Sequence, residues 1–196
     1  MTLYLYIEGG GDSKEQHSRL REAYRKLLTK AGFAGRMPRT VAGGSRREAF
    51  DRYATAVENG QNAMVLVDSE DPVRSGVTCW DHVIARDGWL RPAHAQEDDM
   101  LLMQACMETW IVADHAALKA VFGPKLDTGA LPPMNDLEQR HRHDILSRLE
   151  RATRNCPGPY SKGNRSFDAL AEIEPKLVEK HAPHLGIVMG KLKARS

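Results

Sequence analysis

Several absences narrow what this chain can be before any residue is given a task. No apolar run approaches the roughly 18–20 residues needed to cross a bilayer. The start, Met1-Thr-Leu-Tyr-Leu-Tyr-Ile-Glu8, has neither the basic opening nor the long apolar segment of a secretion signal. Cysteine is scarce: Cys79, Cys106 and Cys156 form no CxxC pair, which fits free thiols in a reducing compartment. Aromatic residues make up only 6% of the chain, and Tyr4, Tyr6, Trp80, Trp89 and Trp110 read as core or loop anchors, not as a base-stacking platform. Neither GxGxxG, the P-loop pattern nor GxSxG occurs, so nucleotide-cofactor, ATPase and hydrolase-elbow readings lack support. Cys79-x-x-His82 and His141-x-His143 lack the regular paired spacing of structural zinc sites. A cytoplasmic protein with no membrane partner is expected.

What is present is an ordinary globular composition, 41% hydrophobic and 28% charged over 196 residues, which fits one domain. A formal net charge of +2 neither demands nor excludes a polyanionic partner, because the distribution of charge matters more than its sum. Thr2–Ile7 reads as a strand that runs into Glu8-Gly9-Gly10-Gly11. Asp12 or Ser13 then caps a helix whose apolar stripe is Leu20, Tyr24, Leu27, Leu28 and Ala31, stopped by Gly32. Arg36–Ala42 is a weak strand that Pro38 assigns to an edge. Ser45-Arg-Arg-Glu48 is a capping box opening a helix with Phe50, Ala54 and Val57 inward, and Asn59-Gly60 ends it. Ala63–Val67 is apolar throughout, as in a sheet covered on both faces. This β-α-β-α-β order predicts an α/β fold with a mainly parallel sheet flanked by helices.

Residues 72–99 read as a loop-rich insertion with a short helix at Trp80–Ala85. Met100–Cys106 reads as a further strand and Glu108–Val121 as a helix closed by Gly123-Pro124. A Gly/Pro linker at Thr128–Asn135 precedes helices at Asp144–Asn155, Ser166–Ile173 and Pro175–His181, and the basic tail Lys191–Arg195 is expected to fray. The organisation expected is a core over 1–125 and a helical C-terminal portion, 126–196, packed on the same domain.

Three carboxylates fall where parallel α/β sheets build their sites. Glu8 ends the first strand, and Asp68 and Glu70 follow Ala63–Val67. Alternation along a strand would point Asp68 and Glu70 to one side, at the sheet edge where ligands bind. Crowded carboxylates repel, and a proton or a cation relieves them. Hard divalent ions suit such oxygen ligands. The plainer reading is that Asp68–Asp71 only terminates a strand and Glu8 only enters a turn. Gly9, Gly10 and Gly11 allow close backbone approach before a helix N-terminus, a place for a phosphate. Arg36, Arg39, Arg46 and Arg47 form one basic cluster, and Arg140, Arg142, Arg148, Arg151 and Arg154 another. Such clusters track a phosphate backbone or are plain solvated faces. Arg46, next to the capping box, is assigned to phosphate.

Glu8 after a short strand, then Gly9, then a strand ending in an Asp-x-acid pair resembles the Toprim signature. That family supplies the Mg²⁺ sites of topoisomerases, bacterial primases, small ribonucleases and OLD-type nucleases. A fuller set of pieces resembles a bacterial family, domain of unknown function 4276, over nearly the whole chain. They are Tyr6-Ile-Glu8-Gly-Gly-Gly-Asp12, Val65-Leu-Val-Asp68-Ser-Glu-Asp71, Met103-Gln-Ala-Cys-Met-Glu108-Thr-Trp110, Ala113-Asp114 and Tyr160-Ser-Lys162-Gly. The resemblance implies a Toprim-like (Rossmann-like) core and Mg²⁺ or Mn²⁺ as cofactor. It makes Glu8 a metal ligand or general acid/base and Asp68 a metal ligand. Glu70 would replace the usual second aspartate, with Asp71 as the neighbouring alternative. Glu108 would be a further ligand, or only a first-turn glutamate facing the helix dipole. Lys162 would contact phosphate in the transition state, or be a solvated loop lysine. The function implied is a metal-dependent phosphodiesterase on nucleic acid, DNA before RNA. It would work in defence beside a separate ATPase of the ABC or SMC type, and a homo-oligomer is compatible with it. The alternatives are a non-catalytic metal-binding module regulating an ATPase complex, and a small-molecule phosphatase or nucleotide hydrolase.

Overall fold

The computed structural model describes residues 1–196. Four strands, β1 (Tyr4–Ile7), β2 (Arg39–Ala42), β3 (Ala63–Asp68) and β4 (Met100–Met103), form one sheet in the order β2-β1-β3-β4, and every pair is parallel. The fold is thus α/β, with β2 on an edge as Pro38 requires. All six residues of β3 are buried. Strand alternation sorts them onto two faces. Leu5, Ile7, Met64, Leu66, Leu101 and Met103 join one core cluster, and Val65, Val67, Met100 and Leu102 join the other.

Helix α1 (Lys14–Lys30) takes Ser13, not Asp12, as its cap, and buries Leu20, Tyr24, Leu27 and Leu28. The Ser45/Glu48 capping box opens α2 (Arg46–Glu58) as expected, but Tyr53 and Ala56 fill the core face with Phe50 and Val57, while Ala54 is half-buried. Helix α3 (Cys79–Asp87) exceeds the expected Trp80–Ala85 because Thr78 caps it and Gly88 closes it in the left-handed region at φ 69°.

The single helix expected over Glu108–Val121 is two: α4 (Met107–Val112) and α5 (His115–Phe122). Asp114 makes the break. Its Oδ1 accepts from the N–H groups of Ala116 (3.1 Å) and Ala117 (3.0 Å), and its Oδ2 from Glu174 N–H (2.9 Å). Then come α6 (Arg142–Thr153), α7 (Asn164–Glu172), α8 (Pro175–Val178) and α9 (His184–Arg195). Helix α7 lies along α1, held by Arg19–Asp168 at 2.6 Å and by Lys30, whose Nζ donates to the carbonyls of Ala171 and Glu172 at α7's end. The larger core cluster draws on α1, α4 to α9 and the sheet together.

The tail does not fray. Leu185, Val188, Met189 and Leu192 form a helical stripe buried in the core, and the flanking Lys191, Lys193 and Arg195 are half-buried, against Asp98, the Phe33 ring and Asp99. Arg195 reaches the amino edge of the sheet, where it pairs with buried Asp99 at 2.6 Å and donates to Asn62 Oδ1 at 2.9 Å. Met1 and Ser196 line the same surface pocket. No helix is long and apolar enough to cross a membrane.

Candidate functional site

At the opposite, carboxyl edge of the sheet, β1 and β3 deliver Glu8 and Asp68 into a cavity of about 690 Å³. The exits of β1 and β2 are tied where Gly9 N–H donates to Gly44 O at 2.7 Å. The next turn needs glycine: Gly9 and Gly10 have φ of 118° and 86°, and a Cβ on Gly10 would fall 2.8 Å from His17. Gly9, Gly10 and Gly11 line the cavity before the start of α1, and the N–H groups of Gly10 and Gly11 donate to no backbone carbonyl.

Glu8 Oε2 accepts from the N–H of Asp68 at 2.9 Å, and Asp68 Oδ1 from the N–H of Met107 at 2.8 Å. The other oxygen of each, Glu8 Oε1 and Asp68 Oδ2, takes no hydrogen bond from the protein. Glu108, at the first turn of α4, also lines the cavity and is 1% exposed. Its Oε1 accepts from the Tyr160 hydroxyl at 2.5 Å. Lys162 is the one Lys or Arg on the cavity wall.

The charges conflict. Burial pushes the Asp68 carboxyl well above the usual range, and the charges of Glu8 and Glu108 push it further. Burial also raises Glu8, against the hydrogen bond from Asp68 N–H and the charges of Arg46, Lys162 and Arg142. Burial and then Glu108 raise the Tyr160 phenol, which keeps it a donor. Oxygens of Glu8, Asp68 and Glu70 lie within 4.8 Å of one another; Glu108 is outside that set, though its charge acts on Asp68. An all-oxygen donor set, mutual repulsion and uncommitted oxygens on Glu8 and Asp68 together fit a hard divalent cation.

Glu70 arrives differently from the strand-alternation argument. Strand β3 ends at Asp68, and Glu70 sits in a left-handed turn at φ 69°. Its carboxylate comes within reach of the pair but is ion-paired with Arg142 and, at 3.6 Å, with Arg86, and it does not line the cavity. Asp71 turns outward, half-exposed, to Arg86 at 3.1 Å and His141 at 3.4 Å. Arg46, expected at phosphate, braces the site from behind instead. It donates to Asp68 C=O at 2.8 Å, pairs with Asp87 at 2.6 Å and stacks 4.3 Å from the Trp89 ring centroid, away from the cavity wall.

Nothing in the sequence assigns a task to Tyr160, and Arg142 reads there only as part of a basic cluster. Both act on carboxylates far along the chain, and neither lies on a periodic pattern. Neither a curated protein nor a solved structure matches the chain. The model of a domain of unknown function (DUF4276) matches residues 7–193, a span holding Glu8, Asp68, Glu108, Tyr160 and Lys162, and the chain belongs to that family.

Proposed function

We propose that this chain is a Mg²⁺- or Mn²⁺-dependent phosphodiesterase acting on nucleic acid through a Toprim-type acidic site. One observation carries the reading: Glu8, Asp68 and Glu108 converge on a single cavity whose wall holds one cation, Lys162. Glu8 and Asp68 would hold the ion, with Glu70 the carboxylate nearest to them but tied to its arginines, and Glu108 facing the ion from the cavity wall. Bound there, the ion supplies Lewis-acid polarisation of a phosphoryl oxygen and a lowered pKa for water.

The chain's own groups divide the remaining work. The free amides of Gly10 and Gly11, in the turn that precedes α1, suit a phosphate oxygen. Lys162 offsets charge that grows on the non-bridging oxygens. The uncommitted oxygen of Glu8 would ligate the ion or, left free of it, take a proton from the attacking water. The wider reading is a cytoplasmic enzyme that prefers DNA to RNA and acts beside a separate ABC- or SMC-type ATPase in defence.

The test is cleavage of labelled single- and double-stranded DNA and RNA with Mg²⁺ or Mn²⁺, comparing wild type with Asp68→Asn and Glu8→Gln. Cleavage by wild type, lost in both variants, supports the reading. Hydrolysis of mononucleotides alone moves the chain to the small-molecule phosphatases. Metal binding without turnover, alone or with an ATPase partner, leaves a regulatory module.

A further inference from the structure

The cavity wall includes a side chain held by a group that does not itself line the cavity. Glu108 is 1% exposed, and a buried carboxylate needs donors or a cation. Its donor is the Tyr160 hydroxyl, 52 residues along the chain and 2.5 Å away. Tyr160 sits between α6 and α7, where the chain is pinned on both sides. Its own N–H donates to Thr153 Oγ1 at 2.9 Å, and that buried hydroxyl donates in turn to Leu149 O at 2.9 Å. Arg165 fixes the other side, with Nε to Gly158 O at 3.1 Å and Nη2 to Val121 O at 2.9 Å. Two residues beyond Tyr160, the same segment presents Lys162 to the cavity.

We propose that Tyr160 is a positioning residue whose hydroxyl holds the Glu108 carboxylate toward the divalent-cation site, where it serves the ion directly or through a bound water. This rests on the metal reading above. The physical reason is orientation. A short hydrogen bond to Oε1 commits one oxygen, restricts rotation about the carboxylate axis and leaves Oε2 in a defined direction. Partners of this kind are known to set ligand geometry and basicity at metal sites. Because the backbone that carries the phenol is anchored by these bonds, the ring imposes the position of Glu108 and does not merely follow it. The same anchoring ties the placement of Glu108 to that of Lys162, so carboxylate and phosphate-facing cation are delivered as one unit.

The experiment is a Mn²⁺ titration by calorimetry, with no substrate, on the full chain and on Tyr160→Phe, Glu108→Gln, the double variant and Asp68→Asn. Tyr160→Phe, which removes one oxygen atom, is expected to weaken Mn²⁺ binding by about 10–100-fold. In the Glu108→Gln background the same change is expected to have no further effect, because the hydroxyl acts through that carboxylate. Wild-type affinity in Tyr160→Phe overturns the proposal, as does an equal loss with and without Glu108, which would mark a merely structural role. Should Tyr160→Phe fold poorly by near-ultraviolet circular dichroism, Glu108→Gln carries the reciprocal test: unchanged Mn²⁺ affinity there also overturns it. These failures leave the metal reading intact, provided wild type binds Mn²⁺ and Asp68→Asn does not. A wild type that binds no Mn²⁺ overturns both.

Discussion

At Asp68 two demands meet. The charge of Lys162 and the N–H of Met107 favour its carboxylate form, while burial and the charges of Glu8 and Glu108 oppose it. The second group wins, so the folded state holds a proton at Asp68 more tightly than the unfolded chain, where the aspartate pKa is about 3.9. Without metal, stability should fall as pH rises from the unfolded value through the raised folded one, with Glu8 adding to the slope. Melting curves in a chelator, recorded from acid to neutral pH, are expected to show this decline in wild type and a shallower one in Asp68→Asn. Equal slopes would show that Asp68 is not the group responsible. Lys162→Met is a separate test at the cavity wall: cleavage should drop with no loss of Mn²⁺ affinity, since the exposed lysine is no ligand and its charge, felt by Glu8 and Asp68, competes with a cation there.

Elements carry the next set of consequences. Ser45→Ala removes the side-chain half of the capping box of α2, where Ser45 Oγ accepts from Glu48 N–H at 3.3 Å, and is expected to cost about 1 kcal/mol in chemical unfolding. Leu192→Ala, on the buried face of α9, should cost about 2–5 kcal/mol, whereas a frayed tail would give a negligible value. That contrast shows where the sequence is legible. The strands and α1 and α2 announce themselves through apolar runs, period-matched stripes and capping residues, all local signals. Helix α9 has the same stripe at Leu185, Val188, Met189 and Leu192, but interleaved lysines and arginine hide it when the charges are read as a tail. The split of α4 from α5 turns on one aspartate whose cap also serves Glu174, a contact made only in the fold. Within the site, Glu8 and Asp68 are readable because strand ends are. The reach of Glu70 depends on a left-handed turn, and the task of Tyr160 on a partner across the molecule, and neither leaves a local trace.

For the molecule as a whole, the metal reading has a stability consequence that needs no substrate. A ligand that binds only the folded state adds about 2.7 kcal/mol at one hundred times its Kd. For a chain of this size each kcal/mol moves the melting temperature by about 2–4 °C. Saturating Mn²⁺ is therefore expected to raise the wild-type melting temperature by several degrees and to leave Asp68→Asn nearly unmoved; an equal rise in both would place the ion elsewhere. The two edges of the sheet are also put to different uses. Carboxylates gather beyond the carboxyl ends of β1 and β3, while Met1 and Ser196 meet beside the amino ends, where Arg195 grips Asp99 and Asn62. A short flexible linker joining Met1 to Ser196 would thus restrict the unfolded chain far more than the folded one, an entropic gain that grows with the length of the loop closed. Immobilising the protein through either end would leave the cavity mouth turned away from the support.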